Sequence, residues 1–471
     1  MVCDVFGASG RPAICGHPEI ETALTELFRV TGNHRYLEQA SLFVERRGHH
    51  VLGDIEWGPS YFQDETPVRE AEVLRGHAVR ANYLACGAAD VAAERNDSDL
   101  LDALARQWDR TMARRTYITG GQGSRHADEA FGPDWALPAD RAYSETCAGV
   151  ASIQFSWRLL LAKGESKYAD LIERTLFNVV ATSPSHEGTT FYYANTLHQR
   201  EPGAVSEAGG VSKRSSSAMR APWFEVSCCP PNVARTLASL AAYVATASAN
   251  GVQIQQYAPA VITTRLDDTG RAVTLEVQTD YPRDGRVRVV VRQAPTDPWT
   301  LSLRIPAWAG GTQMRVIDPA GLEAVTTEQP GYANVTRIFA EGDVVEIELP
   351  MDPRFTSPDP RIDAVRGCVA VERGPEVYCL ESVDLNESCG DLSGVAVETS
   401  SAPVSRDGGV FVVATNASVP EQPWPYGPVA PSPVRQSRKS EIRLIPYHDW
   451  SNRGPSTMRV WIPVSTDASH A

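Results

Sequence analysis

The stretch WFEVSCCPPN, at residues 223–232, places two cysteines side by side at the start of an apolar run. Adjacent cysteines pair poorly as a disulfide, because a trans peptide holds their Cα atoms ~3.8 Å apart and a disulfide prefers ~5.5 Å. Cys228 and Cys229 are therefore better suited to sharing a metal or serving as a nucleophile. The alternative is that both thiols pack as small apolar residues. Pro230 and Pro231 predict a helix N-terminus directly after the pair, where the helix dipole favours the thiolate form.

A carboxylate and a third thiol lie upstream, in the motif YSETC at residues 143–147. Glu145 and Cys147 are two positions apart, so in an extended or cap segment both side chains point the same way. Together with the adjacent cysteine pair they make three sulfurs and one oxygen, a set that tetrahedral zinc accepts. The spacing is not that of a CxxC ribbon, and the alternative is a helix-capping acid at Glu145 and a core residue at Cys147.

A glycine-rich segment at residues 117–132 precedes this motif. It resembles a phosphate-binding loop only loosely, because no GxxxxGK[ST] is present. We predict a flexible, polar loop that carries Glu129. A carboxylic acid beside an activated nucleophile is the minimal set of a retaining glycosidase, in which one group attacks the anomeric carbon and the other protonates the leaving oxygen.

Taken together, these motifs resemble glycoside hydrolase family 127, the β-L-arabinofuranosidase-like family. The resemblance extends over nearly the whole chain, with the motifs in the family's order. They are GHAVR (76–80), YITGG (117–121), DEAFG (128–132), YSETC (143–147), CCPPNVAR (228–235), LRIP (303–306), RGPEVYC (373–379) and NRGP (452–455).

The resemblance implies a retaining mechanism in which Cys228 is the nucleophile and Glu129 is the general acid/base. It implies that His77 and Tyr193 line the sugar site. It also implies Zn²⁺ as a cofactor, with four ligands: Glu145, Cys147, Cys228 and Cys229. Two departures from the family pattern, at Glu65 and at residues 194–197, leave the identity of the sugar open.

Hydrophobic periodicity predicts an α+β multidomain fold, with helices before residue 248 and alternating strands after Gly251. The family resemblance implies an (α/α)6 barrel followed by antiparallel β-sandwich modules. Such a barrel needs twelve helices, so we expect one that is incomplete at its N-terminal side. The predicted domains are 1–248, 249–355 and 356–471, the last being a second sandwich or the completion of the first. The predicted helices are 17–31, 34–47, 67–86, 98–115, 141–163, 165–182 and 230–247.

The composition excludes some classes of partner. A net charge of −14 and a pI near 5.3 argue against nucleic acid, whose phosphates require basic patches. No apolar run reaches the ~18 residues of a membrane span, and no secretory signal is visible. Nine cysteines without framework spacing favour a reducing compartment, so we predict a cytoplasmic protein. A carbohydrate is the expected partner, and a homodimer is left open.

Three functions are compatible with these observations. The first is a retaining glycosidase that releases L-arabinofuranose from β-L-arabinofuranosides. The second is a catalytically impaired sugar-binding or structural zinc protein, suggested by the helices missing from the predicted barrel. The third is a thiol redox protein, which the absence of CxxC disfavours. Glu129 distinguishes the first function, because neither a structural zinc site nor a redox site needs that acid.

Overall fold

The computed structural model describes residues 1–206, 209–266, 270–321, 323–385, 392–416, 424, 426 and 438–465. Helices lie before residue 239 and strands dominate after residue 245, which confirms the predicted order of helical and β segments. None of the helices in this described part has the length and apolar content that crossing a membrane requires. The α-helices of the described residues are α1 Val2–Phe6, α2 Ile20–Thr31, α3 His34–Arg46, α4 Gly58–Tyr61, α5 Ala78–Arg95, α6 Ser98–Arg115, α7 Thr146–Lys163, α8 Ser166–Thr175 and α9 Cys229–Ala238.

The hairpin formed by α2 and α3 has local capping signals at its turn. Gly32 adopts the left-handed conformation (φ 67°), and its N–H donates to the carbonyl of Phe28. Asn33 then caps α3, because its side chain accepts a hydrogen bond from the backbone N–H of Arg35 at 3.2 Å. Both helices lie close to the predicted ranges.

The predicted helix at residues 67–86 is wrong in its bounds, since α5 runs from Ala78 to Arg95. Gly76 has a φ of 70°, and a Cβ there would lie 2.3 Å from the carbonyl oxygen of Ser60. His77 is extended and accepts the backbone N–H of Arg80, so it caps the helix rather than lying within it. The helix continues through Gly87, beyond the predicted end at residue 86.

Three other predicted helices also differ in their bounds. The helix expected at 141–163 begins only at Thr146, because Ala139–Arg141 form a 3₁₀ turn and Ser144 has a left-handed φ of 42°. The one expected at 165–182 is α8, followed by a π-helical turn at Leu176–Val180. The helix expected at 230–247 ends at Ala238 and is followed by a 3₁₀ turn at Leu240–Tyr243.

The strands of the described residues form three sheets. They are β1 His198–Gln199, β2 Ala245–Ser248, β3 Gly251–Ile254, β4 Ala260–Arg265, β5 Ala272–Thr279, β6 Arg286–Gln293, β7 Trp299–Ile305, β8 Thr312–Ile317, β9 Glu323–Glu328, β10 Gly331–Arg337, β11 Val344–Glu348, β12 Arg354–Thr356, β13 Cys368–Arg373, β14 Glu376–Glu381, β15 Val395–Val397, β16 Val404–Arg406, β17 Gly409–Asn416, β18 Arg438–Pro446, β19 Met458–Arg459 and β20 Ile462–Pro463.

Nearly every pairing in these sheets is antiparallel, as predicted. The six-stranded sheet has the order β4-β5-β6-β11-β8-β9, and the four-stranded sheet has the order β10-β7-β3-β2. The pair β3 and β7 is parallel, with Gly251 opposite Thr300, which corrects the purely antiparallel expectation. The reason is connectivity: β4, β5 and β6 lie between these two strands in the chain, and a parallel pair requires such a long connection.

The chain divides into two compact units, each built from several segments. The first unit comprises Met1–Arg114, Cys147–Leu176 and Pro230–Met351. Within it, the fully buried Arg304 of β7 pairs with Asp170 and Glu173 of α8, with nitrogen–oxygen distances of 2.6 Å in both pairs. Tyr281 also donates its hydroxyl to Glu173 at 2.7 Å. This buried network joins a helix of the unit to its β-strands.

The second unit comprises Arg115–Thr146, Phe177–Cys229 and the described residues from Asp352 onward. It contains the ten-stranded sheet, whose main path is β1-β19-β14-β18-β17-β15. Buried polar side chains join its segments. Asn178 bonds to the carbonyl of Pro375 at 2.8 Å and to the N–H of Val377 at 2.7 Å. Arg220 donates to the carbonyls of His448 and Trp450.

Candidate active site

The two adjacent cysteines lie at the start of α9, as the sequence predicts. Cys228 directly precedes the helix and is exposed, whereas Cys229 is its first residue and is buried. The two sulfur atoms are 4.0 Å apart, about twice the ~2.05 Å of a disulfide bond. The pair therefore presents two separate thiols, one of which is accessible.

Glu145 is positioned by an antiparallel pairing between residues 143–146 and 192–195. The N–H of Thr146 donates to the carbonyl of Tyr193 at 3.0 Å, and the N–H of Asn195 donates to that of Tyr143 at 3.0 Å. Ser144, just before Glu145, has a left-handed φ of 42°, so the segment bends there, and α7 begins at Thr146. This pairing brings Glu145 and Tyr193 next to each other. Cys147 follows two positions later, in the first turn of α7.

Four ligand atoms from these segments lie within 4.8 Å of one another. The Glu145 Oε1 atom is 3.4 Å from the Cys228 sulfur. Tetrahedral zinc with ~2.3 Å metal–sulfur bonds has ligand–ligand separations of ~3.8 Å, so the distances present fit such an ion. Three sulfurs and a carboxylate are also a donor set that zinc accepts. The residues of this cluster are Glu145, Cys147, Cys228 and Cys229.

Glu129 is buried, with 5% of its surface exposed. Its carboxylate accepts a hydrogen bond from the Tyr143 hydroxyl at 3.0 Å and pairs with Nη1 of Arg214 at 2.9 Å. The backbone of Glu129 has a φ of 57°, a conformation that is uncommon for a residue with a side chain. Strained backbone of this kind is concentrated at functional sites.

The segment that carries Glu129 is not the flexible loop that the sequence suggested. Residues 119–123 are buried, and the N–H of Tyr117 donates to the carbonyl of Gly121 at 2.9 Å. A Cβ at Gly121 would lie 1.8 Å from the hydroxyl oxygen of Ser144, so only glycine fits against residues 143–146. The glycines therefore serve close backbone packing rather than flexibility.

The sequence analysis did not identify two of the residues that contact Glu129. Arg214 is fixed by pairing of residues 212–214 with residues 223–225, where the N–H of Ser212 donates to the carbonyl of Trp223 at 3.0 Å. Nothing local in a serine-rich stretch indicates that pairing. Tyr143 could have been found, because in an extended segment it projects to the same side as Glu145.

Tyr193 lies close to the accessible thiol, with its hydroxyl 3.3 Å from the Cys228 sulfur. Burial raises the pKa of Tyr193 far above its usual value, and the nearby Glu145 and Cys228 raise it further. Burial likewise raises the pKa of Tyr143, with Glu145 and Glu129 adding to the shift. Both phenols are therefore neutral at ordinary pH and can donate hydrogen bonds.

His77 lies in the first unit, as the N-cap of α5, with 6% of its surface exposed. Its ring contacts that of Tyr61 edge-on, with 5.4 Å between ring centroids.

Two buried cysteines outside the cluster, Cys86 and Cys379, differ from the accessible Cys228. Burial raises the pKa of the Cys86 thiol to about 12, so this thiol stays protonated near neutrality. Burial also raises the pKa of Cys379 well above its usual value. A thiol in such surroundings is chemically inert, because the thiolate is the reactive form.

Comparisons with known families match almost the entire chain. Residues 2–242 match "Beta-L-arabinofuranosidase, GH127 catalytic domain". Residues 251–351 match "Beta-L-arabinofuranosidase, GH127 middle domain", and residues 353–463 match "Glycoside hydrolase family 127 C-terminal domain".

Individual relatives agree with these matches. A non-reducing end β-L-arabinofuranosidase of Bifidobacterium longum subsp. longum is 33% identical over 480 aligned residues, covering 95% of this chain and 70% of that protein. A crystal structure of a GH127 β-L-arabinofuranosidase from Geobacillus stearothermophilus T6 superposes with a TM-score of 0.87 and 34% identity, covering 98% of this chain and 75% of its own. A further GH127 β-arabinofuranosidase structure gives a TM-score of 0.83 and 32% identity, with coverages of 99% and 71%.

Proposed function

The chain belongs to glycoside hydrolase family 127 and is a glycosidase, and from that premise we propose that it releases L-arabinofuranose from β-L-arabinofuranosides with retention of configuration. The main support is the cluster of one carboxylate and three thiols, in which Cys228 alone is exposed. An accessible thiol among buried ligands suits a group that must both be activated and reach a substrate.

Glu145, Cys147, Cys228 and Cys229 would hold a zinc ion. When bound, this cation stabilises the thiolate form of Cys228 at neutral pH, because a coordinating thiol is deprotonated. Glu145 is also buried, so its charge is best offset by a nearby cation.

The chain's own residues divide the reaction into two displacements. Cys228 attacks the anomeric carbon through its sulfur, forming a carbon–sulfur bond as the bond to the leaving oxygen breaks. Glu129 gives its proton to that oxygen. In the second step Glu129 takes a proton from water, whose oxygen attacks the anomeric carbon and releases the thiolate of Cys228. The product keeps the starting configuration because two inversions have occurred.

Tyr143 and Arg214 orient the carboxylate of Glu129, with which both make direct contacts. We assign Tyr193 and His77 to the sugar site. The neutral hydroxyl of Tyr193 lies 3.3 Å from the Cys228 sulfur, within reach of a sugar oxygen next to the reacting carbon.

The finer fold assignments belong to the same proposal. We interpret the helical segment as hairpins of an (α/α)6 barrel and the later sheets as β-sandwich modules. The domains at 1–248, 249–355 and 356–471 are supported by three family matches whose ends lie near these limits.

Enzyme kinetics and mass spectrometry test the proposal together. Purified protein supplied with zinc should hydrolyse an aryl β-L-arabinofuranoside, and Cys228→Ser should abolish turnover. Cys3→Ser, which alters a thiol outside the cluster, should leave the rate unchanged. A slow substrate should leave a sugar attached at Cys228 in a peptide digest. A protein that binds zinc but shows no turnover would instead be a structural zinc or sugar-binding protein, and the proposal would be wrong.

A further inference from the structure

Five aromatic rings of the first unit form a continuous row. Successive ring centroids are 5.8, 5.4, 6.4 and 6.1 Å apart, which are distances typical of aromatic contacts. In order, the rings belong to Trp57, Tyr61, His77, His17 and Tyr83.

The inner end of this aromatic row contacts the helix that begins with the cysteine pair. The hydroxyl of Tyr83 accepts hydrogen bonds from Asn232 at 3.3 Å and from Arg235 at 2.7 Å. Both donors belong to α9, whose first residue is Cys229. The row therefore ends on the first two turns of α9, the helix that directly follows Cys228.

The outer end is exposed in a way that packing does not explain. Trp57 exposes 50% of its surface and lies nearly parallel to the ring of Tyr61, at an interplanar angle of 27°. Its backbone has a φ of 74°, a left-handed conformation that costs a residue with a Cβ ~1–2 kcal/mol. A large apolar side chain held at that cost yet left half exposed indicates a functional surface.

The ring that supports Trp57 is itself held firmly. The Arg80 guanidinium lies 5.0 Å from the ring centroid of Tyr61 and 5.0 Å from that of Phe62. Such cation–π contacts fix the plane of the Tyr61 ring. The stacked pair is therefore a rigid platform, and a ligand that stacks on Trp57 loses little of its binding energy to ordering the protein.

We propose that Trp57, together with the half-exposed ring of His17, binds the sugar unit on the leaving-group side of the substrate. A sugar ring carries a face of C–H groups, which packs on an open aromatic face while its hydroxyls remain in water. Within the first unit the row runs from Tyr83, which contacts α9, to the exposed ring of Trp57, so its outer end offers a sugar an open aromatic face. This inference rests on the proposed glycosidase function and names its leaving group as a carbohydrate.

The test compares two substrates that differ only in the leaving group. One is a disaccharide with a β-L-arabinofuranosyl unit linked to a second sugar, and the other is methyl β-L-arabinofuranoside. Trp57→Ala should lower kcat/KM for the disaccharide roughly tenfold, mainly through KM, as expected for loss of one stacking contact. For the methyl glycoside, kcat/KM should change less than about twofold, since this substrate does not reach the platform. Trp57→Phe should recover much of the loss.

Trp424→Ala is the matched control, because Trp424 is also exposed and also packs against a tyrosine ring. Trp424→Ala should leave kcat/KM unchanged for both substrates. Equal losses on both substrates, or no loss on the disaccharide, would overturn the inference. If the unmodified protein hydrolyses neither substrate, the proposed function fails. The platform is then judged by calorimetric titration with the disaccharide, where binding that Trp57→Ala does not weaken would overturn it.

Discussion

One thiol of the proposed metal-ligand cluster is exposed and two are buried, so single substitutions can separate the roles of the cysteines. Cys228 is exposed and is the proposed nucleophile, whereas Cys147 and Cys229 are buried and are proposed only to bind the metal. A conservative change at a buried ligand should therefore affect stability, while one at Cys228 should affect turnover first.

Cys229→Ser should lower both the zinc content, from about one ion per chain, and the thermal stability of the protein. A serine hydroxyl is a poorer zinc ligand than a thiolate, and metal binding contributes directly to folding free energy. Elemental analysis and melting curves at several zinc concentrations measure both effects. Cys86→Ser, at a buried thiol outside the cluster, should keep the metal. Full zinc occupancy in the double variant Cys147→Ser, Cys229→Ser would show that the ligand assignment is wrong.

Glu129→Gln should slow substrates with poor leaving groups far more than activated ones. Glutamine cannot donate a proton to the departing oxygen, a contribution worth ~10²–10⁴ in rate, but a nitrophenolate leaves without that help. Pre-steady-state rates of the first step on alkyl and nitrophenyl β-L-arabinofuranosides measure the difference. Glu187→Gln, at an exposed carboxylate, is the control. Equal loss on both substrates at that step would make Glu129 a structural residue.

At the scale of elements, the candidate site depends on short paired segments outside the helices. Residues 143–146 pair with residues 192–195, and the buried glycine segment packs against them. The position of Glu145 therefore depends on backbone contacts rather than on a helix.

Gly121→Ala should disrupt this arrangement although it touches no proposed ligand or nucleophile. The added Cβ would lie 1.8 Å from the hydroxyl oxygen of Ser144 and 3.0 Å from its Cβ, so the Ser144 side chain must rotate and its backbone must yield slightly. We expect a loss of ~1–3 kcal/mol in unfolding free energy, as for overpacking, together with weaker zinc binding. Gly310→Ala is the control, because its nearest neighbour would be 3.7 Å away. Unchanged zinc affinity in Gly121→Ala would show that the packed glycine segment does not position Glu145.

Arg304→Met should destabilise the first unit by ~3–5 kcal/mol. Arg304 is fully buried, and its removal leaves Asp170 and Glu173 without their cation. Arg406→Met is the control, because the Arg406–Glu441 pair is exposed and such pairs are worth less than ~1 kcal/mol. Denaturant titrations of both variants measure the difference. Similar losses in the two variants would contradict the role given to the buried network.

Elements with local signals were predictable, and elements set by distant contacts were not. The turn at Gly32 and Asn33 has capping residues that can be read directly, and strand β5 shows the alternating burial expected of it, whereas β7 is buried at nearly every position. Arg214 could not be found, because its place depends on a pairing with residues 223–225 that no local pattern encodes. The four proposed metal ligands were identifiable because unusual residue types occur in recognisable motifs.

For the molecule as a whole, one partly buried histidine network should make stability depend on pH. His448 bonds to Glu376 at 3.0 Å and to Asp449 at 3.1 Å, and His186 reaches the same Asp449 oxygen at 2.9 Å. Burial alone would lower the pKa of His448, but the two carboxylate hydrogen bonds outweigh it and raise the pKa to about 9.

The sign of this effect follows from proton binding. The folded state holds the His448 proton more tightly than the unfolded chain, whose histidine has its ordinary pKa of ~6.5. The stabilisation is therefore complete below pH ~6.5 and lost as pH rises through about 9. Compared with His448→Gln, the unmodified protein should be more stable at pH 6 by on the order of 2 kcal/mol.

Urea titrations at pH 6 and pH 10 measure this difference, which should largely disappear at the higher pH. His49→Gln, at an exposed histidine, should show no such dependence. A difference between the unmodified protein and His448→Gln that is the same at both pH values would contradict the assignment.

The second unit is assembled from three segments that are far apart in the chain, and this has a consequence for biosynthesis. Cys228 and Cys229 leave the ribosome well before Pro375 and Trp450, whose carbonyls accept hydrogen bonds from Asn178 and Arg220, have been made. At ~5–20 residues per second, the remaining chain takes roughly 10–50 s to synthesise. During that interval the nascent thiols lack the folded unit that later surrounds them. We therefore expect the maturation of the proposed zinc site to depend on the redox state and the zinc supply of the cell during translation.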